Sequence, residues 1–190
     1  LNSLPMGFYL PAQLVADARR HGIEVRPVDV RYSEWDCTLE EARARDGGTR
    51  DGDACSGAPQ PALRLGMRVV AGLHEEAGRR VAAARAQAPF RDLDDLAHRA
   101  ALDRGALGRL AEAAALRGLA GHRHRARWQG AAVERQLPLF AGAAPAAEER
   151  IAIPPPITGE DTRADYASTG LTLGAHPVAL LRRVLQHRRY

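Results

Sequence analysis

The chain has 190 residues, 45% of them hydrophobic but only 5% aromatic, so any core must be built largely of Leu, Val and Ala. No apolar run approaches the roughly 20 residues needed to span a bilayer, no signal peptide is expected at the start, and Cys37 and Cys55 form no CxxC pair, which excludes a disulfide scaffold and points to a reducing compartment. The net charge is +4 and all 27 basic residues are arginine, a bias that tracks the abundance of Ala and fits a GC-rich coding sequence; it is compatible with an anionic partner without requiring one.

Pro11 to Arg20 has proline in the first turn, apolar residues at Leu14, Val15 and Ala18, and Gly22 beyond His21 as a stop, which predicts a helix. Ile23 to Val28 alternates as a short strand, with Pro27 placing it at an edge or a strand end. Arg43 to Pro61 carries several Gly and Pro residues and no apolar period, and reads as a mobile loop. Asp46, Asp51 and Asp53 within it suggest a calcium loop, but the twelfth position counted from Asp51 is Ala62 rather than glutamate.

Leu63 to Arg85 follows, two short apolar-periodic segments joined at Gly72-Leu73-His74. A tight corner between two helices needs a residue that tolerates positive φ, and Gly72 supplies it. Leu73 points inward, Glu75 and Glu76 suit the positive end of the second helix, and Ala77, Val81 and Ala84 form its buried stripe. Arg79, Arg80 and Arg85 are left for the other faces. Backbone N–H groups at such a corner have no intrahelical partners, so they can face a phosphate. The usual form of the motif has a second glycine where His74 stands; that side chain could obstruct a phosphate or, protonated, add a contact. These residues alone leave phosphate binding and simple packing both open.

Further along, Asp92 caps a short helix and Asp103 a second one through Ala106, Leu107, Leu110 and Ala114. A third helix is expected from near Leu119, carrying Arg123, Arg125, Arg127 and Trp128. Arg123 and Arg127, one turn apart, would share a face and reach two adjacent phosphates; the alternative is a solvated basic helix end. His122 and His124 are close, but no cysteine or carboxylate stands at metal-ligand spacing, so no metal site is assigned. Gly130 to Ile157 is a linker rich in Ala, Gly and Pro. A helix through Ala164 to Thr169 is stopped by Gly170, and a last one opens at Pro177.

Five blocks occur in an order that resembles the C-family bacterial replicative polymerases, most closely the error-prone, ImuC-type branch of the DNA polymerase III alpha subunit. They are NSLPMGFYLPAQLVADARRHGIEVRPVDV, WDCTLE, ALRLGMRVVAGL, PFRDLDDLAHRA and ADYASTGLTLGAHPVALLR. The resemblance implies a mainly α fold with a few short strands. Residues 1–42 would be the end of the fingers region, 43–61 a flexible loop and 62–129 a tandem helix-hairpin-helix region. Residues 130–157 would be the linker and 158–190 a helical approach to a truncated OB-fold.

It also implies DNA-directed DNA synthesis in damage-induced mutagenesis and translesion synthesis, in the bacterial cytoplasm and at the nucleoid. The aspartates that hold Mg2+ would lie in a palm upstream of Leu1, so no catalytic residue or cofactor is assigned here, and the 190 residues alone are expected to be inactive. Duplex DNA is the expected partner, held through Gly72, Leu73, His74, Arg79, Arg80, Arg123, Arg125 and Arg127. Mutagenesis accessory proteins and the sliding clamp are further partners. Gln136, Leu137, Leu139 and Phe140, in QLPLF, resemble the pentapeptide that hooks bacterial polymerases onto that clamp, with packing of Leu139 and Phe140 on the domain as the other reading. A stand-alone helix-hairpin-helix DNA-binding module and a clamp-interaction adaptor are the alternatives.

Overall fold

The structure is a computed structural model that describes residues 1–3, 8–41, 60–133 and 151–187. The described residues are mainly helical, with one small three-stranded sheet. Most of the loop at 43–61 and the QLPLF segment lie outside them.

Helix α1, Pro11–Arg20, has the bounds its sequence predicts. Pro11 starts it without wasting a donor, and Gln13 Oε1 accepts the Leu10 N–H at 3.1 Å. It ends at Gly22, whose φ of +81° lets the Gly22 and Ile23 N–H groups turn back onto Arg19 and Ala18.

The sheet joins segments on both sides of the 43–61 loop. Strands β1 (Val25–Arg26), β2 (Thr38–Glu40) and β3 (Ala62–Arg64) lie in the order β1-β3-β2, with β3 parallel to β1 and antiparallel to β2. The edge position of β1 fits Pro27, although only two of the six predicted residues pair. Glu40 locks the sheet from its end: Arg64 grips the carboxylate with two bonds of 2.8 and 3.0 Å, and Arg26 adds a third at 2.5 Å. The Arg64 hydrogen bond first, then that of Arg26, holds the Glu40 carboxyl below its ordinary pKa against the opposing effect of burial.

The first limb of the expected hairpin differs from prediction. Residues 62–64 are strand β3, and only a single 3-10 turn, Met67–Val69, follows before the corner. An apolar run this short fits either period, and β3 is fixed by partners 22 or more residues upstream. The second limb, α2 (Glu75–Gln87), forms as predicted, with Ala77, Val81 and Ala84 buried and Glu75 and Glu76 in its first turn. Gly78 is buried with them, because the Trp35 ring lies against the helix there.

Helices α3 (Leu93–Arg99) and α4 (Arg104–Glu112) are capped as predicted. Asp92 accepts the Asp95 N–H at 2.8 Å, and Asp103 accepts the Ala106 N–H at 2.6 Å. Helix α4 stops two residues short of Ala114, which has a φ of +53°. The expected third helix is two: α5 (Arg117–Ala120) and α6 (Arg123–Ala132), separated by Gly121 with a φ of +83°. Leu65, Met67, Val81, Leu96, Leu107, Leu110 and Leu116 form the fully buried centre on which these helices pack.

The last two helices are α7 (Thr158–Thr169), starting six residues before the prediction, and α8 (Pro177–His187). Gly170, in the left-handed region, terminates α7 as predicted.

Candidate nucleic-acid interface

The corner at Gly72 has the geometry its sequence demands. Gly72 adopts a φ of +71°, Leu73 is buried beneath it, and its N–H returns to the Val70 carbonyl at 3.2 Å. His74 is the N-cap of α2, and its side chain does not cap. The N–H groups of Gly72, His74, Glu75, Glu76 and Ala77 therefore have no acceptor among the described residues, and the first intrahelical bond at this end is Gly78 N–H to the His74 carbonyl. Free donors at the positive end of a helix dipole are suited to an anion.

The side chains around the corner adjust its charge. Glu75 is held by Arg79 at 2.5 Å on the exposed surface, so Arg79 offsets an acid beside the donors. Arg109, from α4, leans over the corner: a Cβ built on Gly72 would stand 2.9 Å from its Nε. The sequence reading missed Arg109. The pattern that could have found it is Arg104, Gly105, Gly108, Arg109, Glu112, the polar and small face opposite Ala106, Leu107, Leu110 and Ala111.

Arg80, expected at DNA, is occupied within the fold, and so is Arg85. Arg80 donates to the Ala100 and Ala101 carbonyls at 2.9 and 3.3 Å, neutralising the negative end of α3. Arg85 donates to the Val30 and Ser33 carbonyls and pairs with Glu34, tying α2 to the turn between β1 and β2.

The largest correction concerns Arg123. Its side chain is 4% exposed, pairs with Asp165 at 2.6 Å and Asp161 at 3.6 Å, and donates to the Asp161 carbonyl at 3.1 Å. Arg127 pairs with Glu112 at 3.0 Å, still half exposed. The face that Arg123 and Arg127 were expected to offer to two phosphates is thus turned toward carboxylates of α7 and α4. Helix α7 carries Glu160, Asp161 and Asp165, and this acidic helix lies where the backbone was expected. Arg125 is exposed and has no ion-pair partner among the described residues.

The last turn of α7 also reaches the corner. The Ala71 N–H donates to the Ser168 carbonyl at 2.7 Å, and Ser168 Oγ donates to the Glu112 carbonyl at 3.2 Å. Among the described residues no group of three or more His, Cys, Asp or Glu side chains is placed to hold a metal ion. Nor is any helix among them long and apolar enough to cross a membrane.

The profile of the helix-hairpin-helix motif family matches residues 22–126. Over its whole length the chain is also similar to curated proteins called error-prone DNA polymerase. It is 51% identical to the one from Pseudomonas aeruginosa, 53% to that of Pseudomonas syringae pv. tomato and 55% to that of Azoarcus sp.. In each case the chain spans 17% of the relative's length.

Proposed function

We propose that this chain, which belongs to the helix-hairpin-helix family, is the duplex-holding part of an error-prone DNA-directed DNA polymerase that acts in damage-induced mutagenesis and translesion synthesis. The observation that carries the reading is the corner at Gly72, where a positive φ and the start of α2 leave five backbone donors without acceptors among the described residues. Identity of 51% over 189 residues and 55% over 190 residues to two error-prone polymerases supports the parent activity. The part described here would grip phosphates behind a palm that supplies the carboxylates and Mg2+, so the grip is independent of sequence.

The binding residues in this reading are Gly72, His74, Glu75 and Glu76 through their N–H groups, with Arg109 and Arg125 adding charge. Leu73 and Arg79 act indirectly, the first by anchoring the corner and the second by offsetting Glu75. Binding of a mixed-sequence duplex across a salt series tests this. A linear fall of log affinity with log salt, shared by unrelated duplex sequences, is the expected result. Absence of binding at low salt overturns it.

The finer partners belong to the same proposal. QLPLF, at 136–140, offers Gln136 for hydrogen bonding and Leu139-Phe140 for an apolar pocket of the sliding clamp. Replacing Gln136, Leu139 and Phe140 with Ala should abolish clamp capture and leave duplex affinity intact; unchanged capture contradicts the clamp role. Mutagenesis accessory proteins and a place at the bacterial nucleoid follow from the polymerase reading alone.

A further inference from the structure

We infer that the cleft between α4 and α7 is a second subsite for a nucleic-acid backbone phosphate, an assignment that rests on the duplex reading above. The cleft has a volume of about 460 Å3, and Arg104, Gly105, Gly108 and Arg109 line it from α4, with Ala167 and Ser168 opposite. It opens beside the hairpin corner, since Ala71 is also in its wall and Arg109 lies over Gly72.

Its charge is positive for a local reason. Arg104 and Arg109 have no carboxylate partner among the described residues, whereas most arginines of the domain are paired. Two neighbouring acids are already engaged: Asp103 caps the Ala106 N–H at 2.6 Å, and Glu112, which also lines the cleft, is held by Arg127 at 3.0 Å. Two unpaired guanidiniums facing neutral residues of α7 make a seat for a compact anion, and guanidinium matches phosphate oxygens bidentately.

Its shape is set by glycine. Gly105 and Gly108 leave the α4 surface without side chains between the two arginines, and a Cβ on Gly108 would meet nothing within 4 Å. Neither glycine needs positive φ, and each weakens the helix by about 1 kcal/mol relative to Ala. Open space between two cations is the feature that such residues maintain. Because the cleft adjoins the corner, one strand can place neighbouring phosphates in both.

The test uses the 190-residue chain, a mixed-sequence duplex and a salt series, with two variants. Arg104→Ala removes a cation of the cleft and leaves Arg109, which also serves the corner, in place. Gly108→Glu fills the cleft with a like charge while replacing a helix-interior glycine, so the fold is retained. The inference expects each variant to flatten the log–log salt slope by about one unit, the share of one phosphate.

If wild type binds and both variants keep its slope, the subsite is overturned and the corner reading stands. If wild type does not bind, the duplex reading fails and this inference falls with it. Inorganic phosphate supplies the third arm. Saturable stabilisation of wild type by phosphate, lost in both variants whose duplex slopes are unchanged, would make the cleft a site for free phosphate and overturn the nucleic-acid assignment.

Discussion

Arg123 and Asp165, 42 residues apart in sequence, form a 2.6 Å charge-assisted hydrogen bond that fastens α7 to α6. The guanidinium is buried and the carboxylate is about a quarter exposed, while Arg123 Nε has no partner among the described residues. Removing the arginine would leave Asp165 without a cation and Asp161 with only the more distant Arg117, at 3.9 Å. Arg123→Ala should destabilise the chain by about 2–4 kcal/mol, below the loss for a fully buried pair because water can reach both carboxylates. Urea unfolding followed by circular dichroism measures it. Where both proteins are folded, Arg123→Ala should keep the wild-type salt slope for duplex binding and Arg125→Ala should lower it; the reverse pattern would restore Arg123 to the interface.

Gly78 predicts a helix substitution with the opposite sign to the usual one. Gly to Ala inside a helix ordinarily stabilises by about 1 kcal/mol. Here the added Cβ would stand 2.6 Å from Trp35 Cε3 and 3.6 Å from Met67 Cβ, in a packed part of the core. Gly78→Ala should cost about 1–3 kcal/mol through overpacking, read as a lower melting temperature and a changed Trp35 emission. Stabilisation would contradict the close approach.

Two alanines stand where helix ends favour glycine. Ala101 has a φ of +47° and Ala114 one of +53°, and both follow helices closed by the same pair of backward bonds that Gly22 makes after α1. A Cβ in this conformation costs about 1–2 kcal/mol, partly offset by the greater freedom of glycine in the unfolded chain. Ala101→Gly and Ala114→Gly should each stabilise by about 0.5–1 kcal/mol in denaturant melts, and a loss in either would refute this account of the turns.

Acid should weaken the fold through Asp95 and Glu40. Burial pushes the Asp95 carboxyl up, but the Arg91 N–H and the Arg91 and Arg99 guanidiniums outweigh it and hold its pKa below the ordinary value. Glu40 is lowered chiefly by its bond to Arg64. A carboxyl whose folded pKa is depressed adds stability that is complete above the unfolded value, near pH 4, and lost as pH falls through the folded one. The unfolding free energy should therefore be flat from pH 7 to about 5 and decline below about 4. Asp95→Asn should lower stability at pH 7 and shallow the acid decline; an unchanged profile would contradict the role given to these contacts.

The local grammar of this chain was readable in advance. Pro11, Asp92, Asp103 and Gly170 start or stop helices through bonds within a few residues, and Gly72 announces its corner because few other residues tolerate that φ. Long-range choices were hidden. The 62–64 run becomes a strand because residues 25–26 and 38–40 flank it. Arg123 reads as a solvated cation until Asp161 and Asp165, about 40 residues later, fold over it. Arg104 and Arg109 were overlooked for the converse reason, since their meaning lies in lacking carboxylate partners, which only the packing of α4 against α7 reveals.

The corner itself is tested most directly by following the backbone amide signals of the 15N-labelled chain while a short mixed-sequence duplex is added at low salt. The account predicts that the amides of Gly72, His74, Glu75 and Glu76 shift first and saturably, and that raising the salt reverses the shifts. Binding that leaves these four signals in place, with shifts concentrated on the Arg80 or Arg123 faces, would contradict it.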